Sequence, residues 1–258
     1  MAVRKTIKNF FYSLTSNRAD EEKTMTKTLI STFILSLLLV GCGSSSDKTS
    51  SDTTGDTRFK VTLTTQWNAT DFETQYPASS SPHWSPLSGT VHNVQVKFWE
   101  TDQLASAGIE SMAETGSTTA LESEIQTAKE SAYSQGLIKT SSIGSGAGET
   151  SIEFATSDAY PLLTLVSMIA PSPDWFVGVH DLALQDSDGN WINSQTINLK
   201  LYDAGTDLGT TFTSANSDSS EQSLTITPLS SQRLDSDFEN GVHFSSDKYV
   251  ATLLIEKL

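Results

Sequence analysis

Phe59, Val61 and Leu63 alternate with Lys60, Thr62 and Thr64. Successive side chains of a strand point to opposite faces, so this period of two predicts a strand with one buried and one wet face. Val94, Val96 and Phe98 repeat the pattern and predict a second strand. Residues 68–90, between them, are rich in Pro, Ser and Gly and read as a long irregular connection. The period changes over residues 103–135. Leu104, Ile109, Met112 and Ala113 recur near helical spacing as far as Gly116. Leu121, Ile125 and Ala128 then share a face behind a capping box opened by Thr119 and closed by Glu122. Two short helices are expected here.

Gly144-Ser145-Gly146-Ala147-Gly148 has neither the lysine nor the helix start of a phosphate loop and reads as a linker. After it, residues 151–156, 162–170, 175–184, 191–201, 223–227 and 249–256 are β-branched or aromatic runs separated by turn residues. Short strands at this spacing predict an antiparallel β-sandwich. The fold class is all-β with a short helical insertion, in one domain over residues 58–258.

The amino-terminal part follows other rules. Residues 29–40 are apolar and uncharged, too short to span a membrane at about 20 residues, and Lys27 precedes them. They lead into Leu39-Val40-Gly41-Cys42, which resembles the bacterial lipobox, where the signal is cut before a cysteine that receives lipid. Residues 1–41 are accordingly expected to be a signal peptide and Cys42 the lipidation site. Gly43 after the cysteine agrees with the outer membrane as destination. Asp20-Glu21-Glu22 fits poorly ahead of a signal run, which favours Met25 as the start, with a long leader from Met1 as the alternative. Residues 42–57 are Ser-, Thr- and Asp-rich and read as a lipidated, flexible tether.

Net charge is −15 over 258 residues, and the leader holds more bases than acids, so the domain itself is strongly acidic. Such a surface repels phosphate backbones and attracts divalent cations, which argues against nucleic acid as a partner. Cys42 is the single cysteine, so no intramolecular disulfide forms.

Candidate chemistry gathers in two stretches. Asp174 follows Pro171-Ser172-Pro173 at the start of a predicted strand, and Asp203 and Asp207 bracket Ala204-Gly205-Thr206 after another. If those strands are neighbours, three carboxylates converge. A hard divalent cation would relieve their repulsion, and calcium accepts loop oxygens more readily than magnesium. Each aspartate capping its own turn explains the same residues, and at this level both readings stand.

The run Pro171-Ser172-Pro173-Asp174-Trp175-Phe176-Val177-Gly178-Val179 and the loop Asp203-Ala204-Gly205-Thr206-Asp207-Leu208-Gly209 resemble the spondin domain, the module of F-spondin and mindin. Pro82-His83-Trp84-Ser85-Pro86-Leu87, Thr90-Val91-His92-Asn93, Ala105-Ser106-Ala107-Gly108-Ile109, Ala113-Glu114-Thr115-Gly116 and Leu165-Val166-Ser167-Met168-Ile169-Ala170 follow in the same order. The resemblance implies an eight-stranded antiparallel sandwich similar to the calcium-dependent membrane-targeting modules of signalling enzymes. It also implies a calcium ion held by Asp174, Asp203 and Asp207, with a carbonyl near Leu199 assisting.

The expectation is a lipoprotein of the bacterial outer membrane, held to it by the anchor. Its calcium-binding domain would act as a binding or adhesion module, not an enzyme, toward an extracellular protein or glycan. A calcium-stabilised structural envelope protein and a calcium-dependent hydrolase are the alternatives. No Gly-x-Ser-x-Gly elbow is present, and His83, His92, His180 and His243 lack metal spacing. Asp186-Ser187-Asp188-Gly189-Asn190 lacks the closing glutamate of a helix–loop–helix calcium loop and reads as a hairpin turn. Trp84, in its Pro-Ser loop, is the expected exposed aromatic, whereas Trp67, Trp99 and Trp175 are expected in the core.

Overall fold

The computed structural model describes residues 56–72, 76–219, 224–229 and 249–258. The chain divides into two units, Met1–Ser51 and Asp52–Leu258, of which the first lies outside the described residues, as do Cys42, the signal run and most of the tether.

The described residues form two antiparallel sheets. The first, in the order β5-β1-β11-β8, contains Ala147–Thr156 (β5), Thr57–Gln66 (β1), Ala251–Lys257 (β11) and Ser194–Asn198 (β8). The second runs β10-β9-β7-β6-β3-β4, from Thr227–Pro228 (β10) and Leu201–Asp203 (β9) through Trp175–Ala183 (β7) and Leu162–Ala170 (β6) to Ser88–His92 (β3) and Ser134–Lys139 (β4). A two-residue strand, His83–Trp84 (β2), pairs with the end of β6. Eight of these strands have five or more residues; β2, β9 and β10 are short additions.

Period-two patterning sets the layers. Phe59, Val61 and Leu63 on β1 and Leu253 and Ile255 on β11 meet Leu163, Leu165 and Ile169 of β6 and Trp175 and Val177 of β7 between the sheets. Phe59 stacks on Phe154 of β5 at 5.8 Å between ring centroids. The opposite face of the second sheet is covered as well. Val166, Met168, Ala170, Phe176 and Tyr202 pack against helices Ala107–Thr115 (α1) and Thr119–Glu130 (α2), which bury Ile109, Met112, Ala113, Leu121, Ile125 and Ala128. The insertion is therefore a third layer. Ser106 caps α1 by accepting the Ile109 N–H at 3.2 Å, and Gly116 ends it at a φ of 71°.

Several sequence expectations shift. Val94, Val96 and Phe98 form no strand: Val94 is 77% exposed, in a turn that follows β3. The strand is instead Ser88–His92, which begins inside the stretch 68–90 read as an irregular connection and runs two residues past it. All five of its residues are buried, and Gly89 lies so close to β6 that an added Cβ would overlap the Thr164 carbonyl oxygen. Packing, not propensity, makes this segment a strand. Helix α2 is capped at Thr118 rather than Thr119. The Thr118 hydroxyl donates to the Glu122 carboxylate at 2.6 Å, so the expected side chain-to-backbone box is absent. Leu104 is exposed and off the buried face, and β5 begins inside the glycine-rich segment read as linker. Strand β4 had no period to announce it, and the run 191–201 is split into β8 and β9. Trp84 is fully buried, its indole N–H donating to the Gly146 carbonyl at 2.9 Å, so it is no surface platform. Trp67, Trp99 and Trp175 are in the core.

Gly89→Ala should cost several kcal/mol, because the clash is with backbone that cannot move aside. Gly144→Ala, whose added Cβ meets nothing within 4 Å, should stay within about 0.5 kcal/mol of wild type. Urea midpoints of both variants measure this; equal midpoints would show that the close approach carries no energetic weight.

Candidate cation site

The turn from β6 to β7 is built around Ser172. Its hydroxyl donates to the Ile169 carbonyl at 2.6 Å and accepts the Trp175 N–H at 3.1 Å. That turn delivers Asp174 at the mouth of β7. Its neighbour Trp175 is paired with Asp203 at the end of β9, and the Ala204 N–H donates to the Asp174 carbonyl oxygen at 3.1 Å. The chain then reverses at Gly205, where φ is 74°, a left-handed conformation that suits glycine. A side chain there would also press on the carbonyls of Leu224 and Thr225. Asp207 comes next and bridges to Asp218. Tertiary pairing thus gathers the two stretches singled out in the sequence at one end of the second sheet. Leu199, buried between β8 and β9, gives its N–H to the Ala251 carbonyl at 3.0 Å.

Asp174, Asp203 and Asp207 are 0%, 2% and 1% exposed. Charged carboxylates this deep are costly unless their oxygens are satisfied. Asp174 Oδ2 accepts the backbone N–H groups of Thr206 at 2.8 Å and Asp207 at 3.1 Å, with the Thr206 hydroxyl at 3.3 Å. Asp203 Oδ1 accepts the Gly205 N–H at 2.8 Å. Asp207 accepts from Gly209 at 2.6 Å through Oδ1 and from Ser217 at 2.8 Å through Oδ2. Two of the three aspartates therefore cap turns of their own loop, while Asp174 ties β7 to that loop.

One oxygen stands apart. Among the described residues, the buried Asp174 Oδ1 has no hydrogen-bond partner. Burial, then the charge of Asp203 and, more weakly, of Asp207, pushes the Asp174 carboxyl up to about 7, against the bonds from Asp207 and Thr206 that pull it down. Among the described residues, no group of three or more His, Cys, Asp or Glu side chains is gathered tightly enough to hold a metal ion as it stands. The donor chemistry nonetheless fits a hard cation: the oxygens are all carboxylate, and one of them is unsatisfied among the described residues. The Asp207 carboxylate is engaged with Gly209 and Ser217.

Sequence reasoning did not single out Thr206 or Glu114. Thr206 supplies two of the three donors to Asp174 Oδ2. Glu114, near the end of α1, has its carboxyl pushed above the usual range by burial first, with the Thr206 side chain near enough to pull it back in part. The resemblance-bearing stretch Ala113-Glu114-Thr115-Gly116 contained it, but no spacing ties that helix end to a loop some ninety residues on.

A family model described as Spondin_N matches residues 57–244. The chain belongs to the Spondin_N family. Its Spondin_N domain is 39% identical over 161 residues to Spondin-2 of Homo sapiens, covering 62% of this chain and 48% of that protein. Spondin-2 of Rattus norvegicus is 37% identical over the same length. Spondin-1 of Gallus gallus is 29% identical over 214 residues, covering 79% of this chain and 26% of that protein. The chain thus spans about half the length of the Spondin-2 relatives and less of Spondin-1.

At the far end of β7, the spondin domain carries a second polar cluster. Asp181 adopts a φ of 48° beside a bulge in the β6–β7 pairing, with its N–H on the Thr164 hydroxyl at 3.1 Å. Its carboxylate lies 3.6 Å from His92, 3.6 Å from His180 and 3.8 Å from Lys97. His92 Nε2 bonds the Thr164 hydroxyl at 2.8 Å. A histidine beside a hydroxyl and a carboxylate suggests nucleophile activation, but His92 and Thr164 are both buried, and no substrate reaches them. The same histidine nitrogen faces both partners, whereas a triad uses opposite ring nitrogens. Burial lowers the His92 pKa, which keeps the ring neutral as a packing element. His83 is exposed, and His243 lies outside the described residues. The Asp186 segment is a turn: Asp186 Oδ1 accepts the N–H groups of Asp188 and Asn190, both at 2.9 Å, and Gln185 bridges to Trp191.

The raised Asp174 carboxyl fixes a pH dependence. Its ordinary value is 3.8, so the unfolded chain ionises there while the ion-free folded domain keeps the proton until about 7. This stabilising contribution is fully present below pH 3.8 and is lost as pH rises through 7. Asp174→Asn, neutral at every pH, should therefore gain on wild type in chelator between pH 5 and pH 8, read as a widening gap in melting temperature. A constant gap would mean that the carboxyl is not held up.

Proposed function

We propose that this chain is a lipid-anchored surface protein whose spondin domain serves as a binding or adhesion module, with the loop end of its second sheet fastened by calcium. The observation that carries the calcium reading is the buried, unpartnered Oδ1 of Asp174 beside Asp203. Asp174, Asp203 and Asp207 would hold the ion, with loop carbonyls and water completing an oxygen shell of six to eight ligands. Bound there, it supplies positive charge that offsets the buried carboxylates. Because each carboxylate already has a backbone N–H donor, the sandwich stands without the ion, and calcium adds stability rather than creating the fold.

Similarity to Spondin-1 and Spondin-2 supports a non-enzymatic, extracellular role for the domain. The acidic surface disfavours nucleic acid. Four of the five tryptophans are buried, and Trp191 is partly buried with its ring against Phe59, which turns the choice of ligand toward a protein rather than a sugar stacked on indole. Arrays of matrix proteins and glycans, probed with and without calcium, test that choice. Binding confined to glycans would reverse it.

Calcium in 100-fold excess over its dissociation constant should add about 2.7 kcal/mol of stability. Extracellular modules commonly bind it at about 10⁻⁴ to 10⁻³ M. Asp203→Asn should remove most of the calcium-induced rise in melting temperature, whereas Asp186→Asn, in the hairpin turn, should keep it. No rise in the wild type, or the reverse pattern in the two variants, defeats the assignment.

The anchor rests on the apolar run that ends at Cys42, with the bacterial outer membrane as its destination. Cells expressing the full chain should incorporate a fatty-acid probe into it, and Cys42→Ser should abolish that labelling. Labelling that survives the substitution would remove the anchor from the proposal.

A further inference from the structure

The outermost strands of the two sheets differ in what they offer a partner. β10 is two residues long and contains Pro228, which has no N–H to donate. β8 has only five residues. β4 meets β3 through a register shift between Val91 and His92, and such a bulge bends an edge away from further pairing. β5 has none of these guards. All ten of its residues, Ala147–Thr156, pair with β1 in one unbroken register, and among the described residues no strand pairs with its other side.

Main-chain hydrogen bonds fix which β5 residues face outward. In an antiparallel ladder, opposed residues alternate between pairs that exchange N–H and C=O and pairs that do not. Leu258 donates to the Arg58 carbonyl and Gln66 to the Val250 carbonyl, both at 2.9 Å, so the even-numbered residues of β1 bond toward β11. Its odd-numbered residues therefore bond toward β5, where they stand opposite Gly148, Thr150, Ile152, Phe154 and Thr156. The N–H and C=O groups of Glu149, Ser151, Glu153 and Ala155 are left directed away from the sheet. The first three of these residues are exposed, and the side chains of all four share the face opposite to Phe154.

The side chains define what can pair there. β1, already on one side of β5, is an example. Its Arg58 lies 2.7 Å from Glu153 and its Lys60 stands opposite Glu153, while Phe59 and Val61 stand opposite Phe154 and Ile152 on the inner face. Glu149 accepts the Thr64 hydroxyl at 3.3 Å, and the register sets Thr64 rather than a base opposite it. A second copy of the chain fits this edge poorly. The two-fold register that matches all the outward groups is centred on Ser151 and sets Glu149 opposite the copy's Glu153, and like charges directly opposite are destabilising. A basic strand is attracted by the same carboxylates and by a net charge of −15.

We propose that the outer edge of β5 docks an extended segment of a partner protein, which adds as an antiparallel strand to the first sheet. Its basic side chains lie beside Glu149 and Glu153, and apolar ones alternate with them beside Thr150 and Ile152. Main-chain bonds then supply the affinity and the alternate side chains the selection. This inference rests on the reading of the domain as a binding module and is independent of the calcium site.

The probe is a synthetic peptide with the core Lys-Val-Thr-Val-Lys, flanked by threonines and titrated into the full chain by fluorescence anisotropy, in calcium and in chelator. It should bind equally in both. Glutamate in place of both lysines should weaken binding by about tenfold or more, since like charges then stand opposite each other. N-Methylation of the central threonine and the lysines, whose N–H groups face β5, should abolish binding, whereas N-methylation of the valines should preserve it. Glu149→Lys should weaken the lysine peptide by about tenfold. Ser151→Pro removes an outward N–H and no bond to β1, a change that edge strands accept, and should abolish binding while the melting temperature holds. Leu199 donates to the Ala251 carbonyl and Lys257 to the Asn193 carbonyl, so Thr196 faces outward on β8, the opposite edge of the same sheet. Thr196→Pro should bind the peptide as wild type does. No binding of the lysine peptide, equal binding of the glutamate or the threonine- and lysine-methylated peptide, or equal binding by the two proline variants overturns the inference. So does a dimer that Ser151→Pro dissolves, which would give the edge to a second copy. Matrix-protein arrays that capture the same protein with Ser151→Pro as with wild type remove this edge and leave the binding-module reading standing. Arrays that stay blank while the peptide binds as described count against that reading and leave the edge standing.

Discussion

Strand β6 is covered on both faces, and the rest of the fold is arranged around it. Leu163, Leu165 and Ile169 fill the space between the sheets, while Val166, Met168 and Ala170 meet the helical layer. A strand in that position has no wet face to vary, which is why its sequence is a nearly unbroken apolar run. Burying so many apolar side chains on one element is worth about 1.5–3 kcal/mol for each large one, and the two layers it joins cannot separate without exposing it. Its neighbours adapt to it: Gly89 on β3 gives up a side chain so that the backbones can approach.

The same strand fixes where charge is admitted. β7 leaves β6 through the Ser172 turn, and the first residue it offers is Asp174, at the sheet's end but already out of water. Its two oxygens have opposite fates: Oδ2 is satisfied by Thr206 and Asp207, and Oδ1 by nothing among the described residues. The loop from Asp203 to Asp207 is thus docked by hydrogen bonds and opposed by charge at the same point. That opposition marks the site off from Asp181, whose carboxylate has His92, His180 and Lys97 about it and lies seven residues further along the strand, on the order of 20 Å away. One end of β7 gathers carboxylates; the other sets a single carboxylate beside His92, His180 and Lys97.

Much was already legible in the sequence where one local period dominates. Alternation gave β1, the continuous apolar run gave β6 within its observed limits, and helical spacing gave the buried faces of α1 and α2. Gly116 and Gly205 could be read as turn residues because each sits at a positive φ that other residues rarely adopt. The motif around Asp174 and the Asp203–Asp207 loop carried the family, which the match over residues 57–244 bears out.

Where an element is defined by what it packs against, no local period marks it. Ser88–His92 is a strand because β6 and β4 take both its edges and all five of its residues are buried, while the better alternation at Val94, Val96 and Phe98 has no partner strand among the described residues. Trp84 looked exposed in a polar loop and is enclosed because Gly146, sixty-two residues away, accepts its indole N–H. The sequence by itself determined which aspartates lie at strand ends, since turn chemistry is local. Only the tertiary structure decided that Asp174 and Asp203 would be adjacent, and that one carboxylate oxygen would be left without a donor among the described residues. Those outcomes depend on strand pairing and helix docking between distant segments, and no short window of residues contains them.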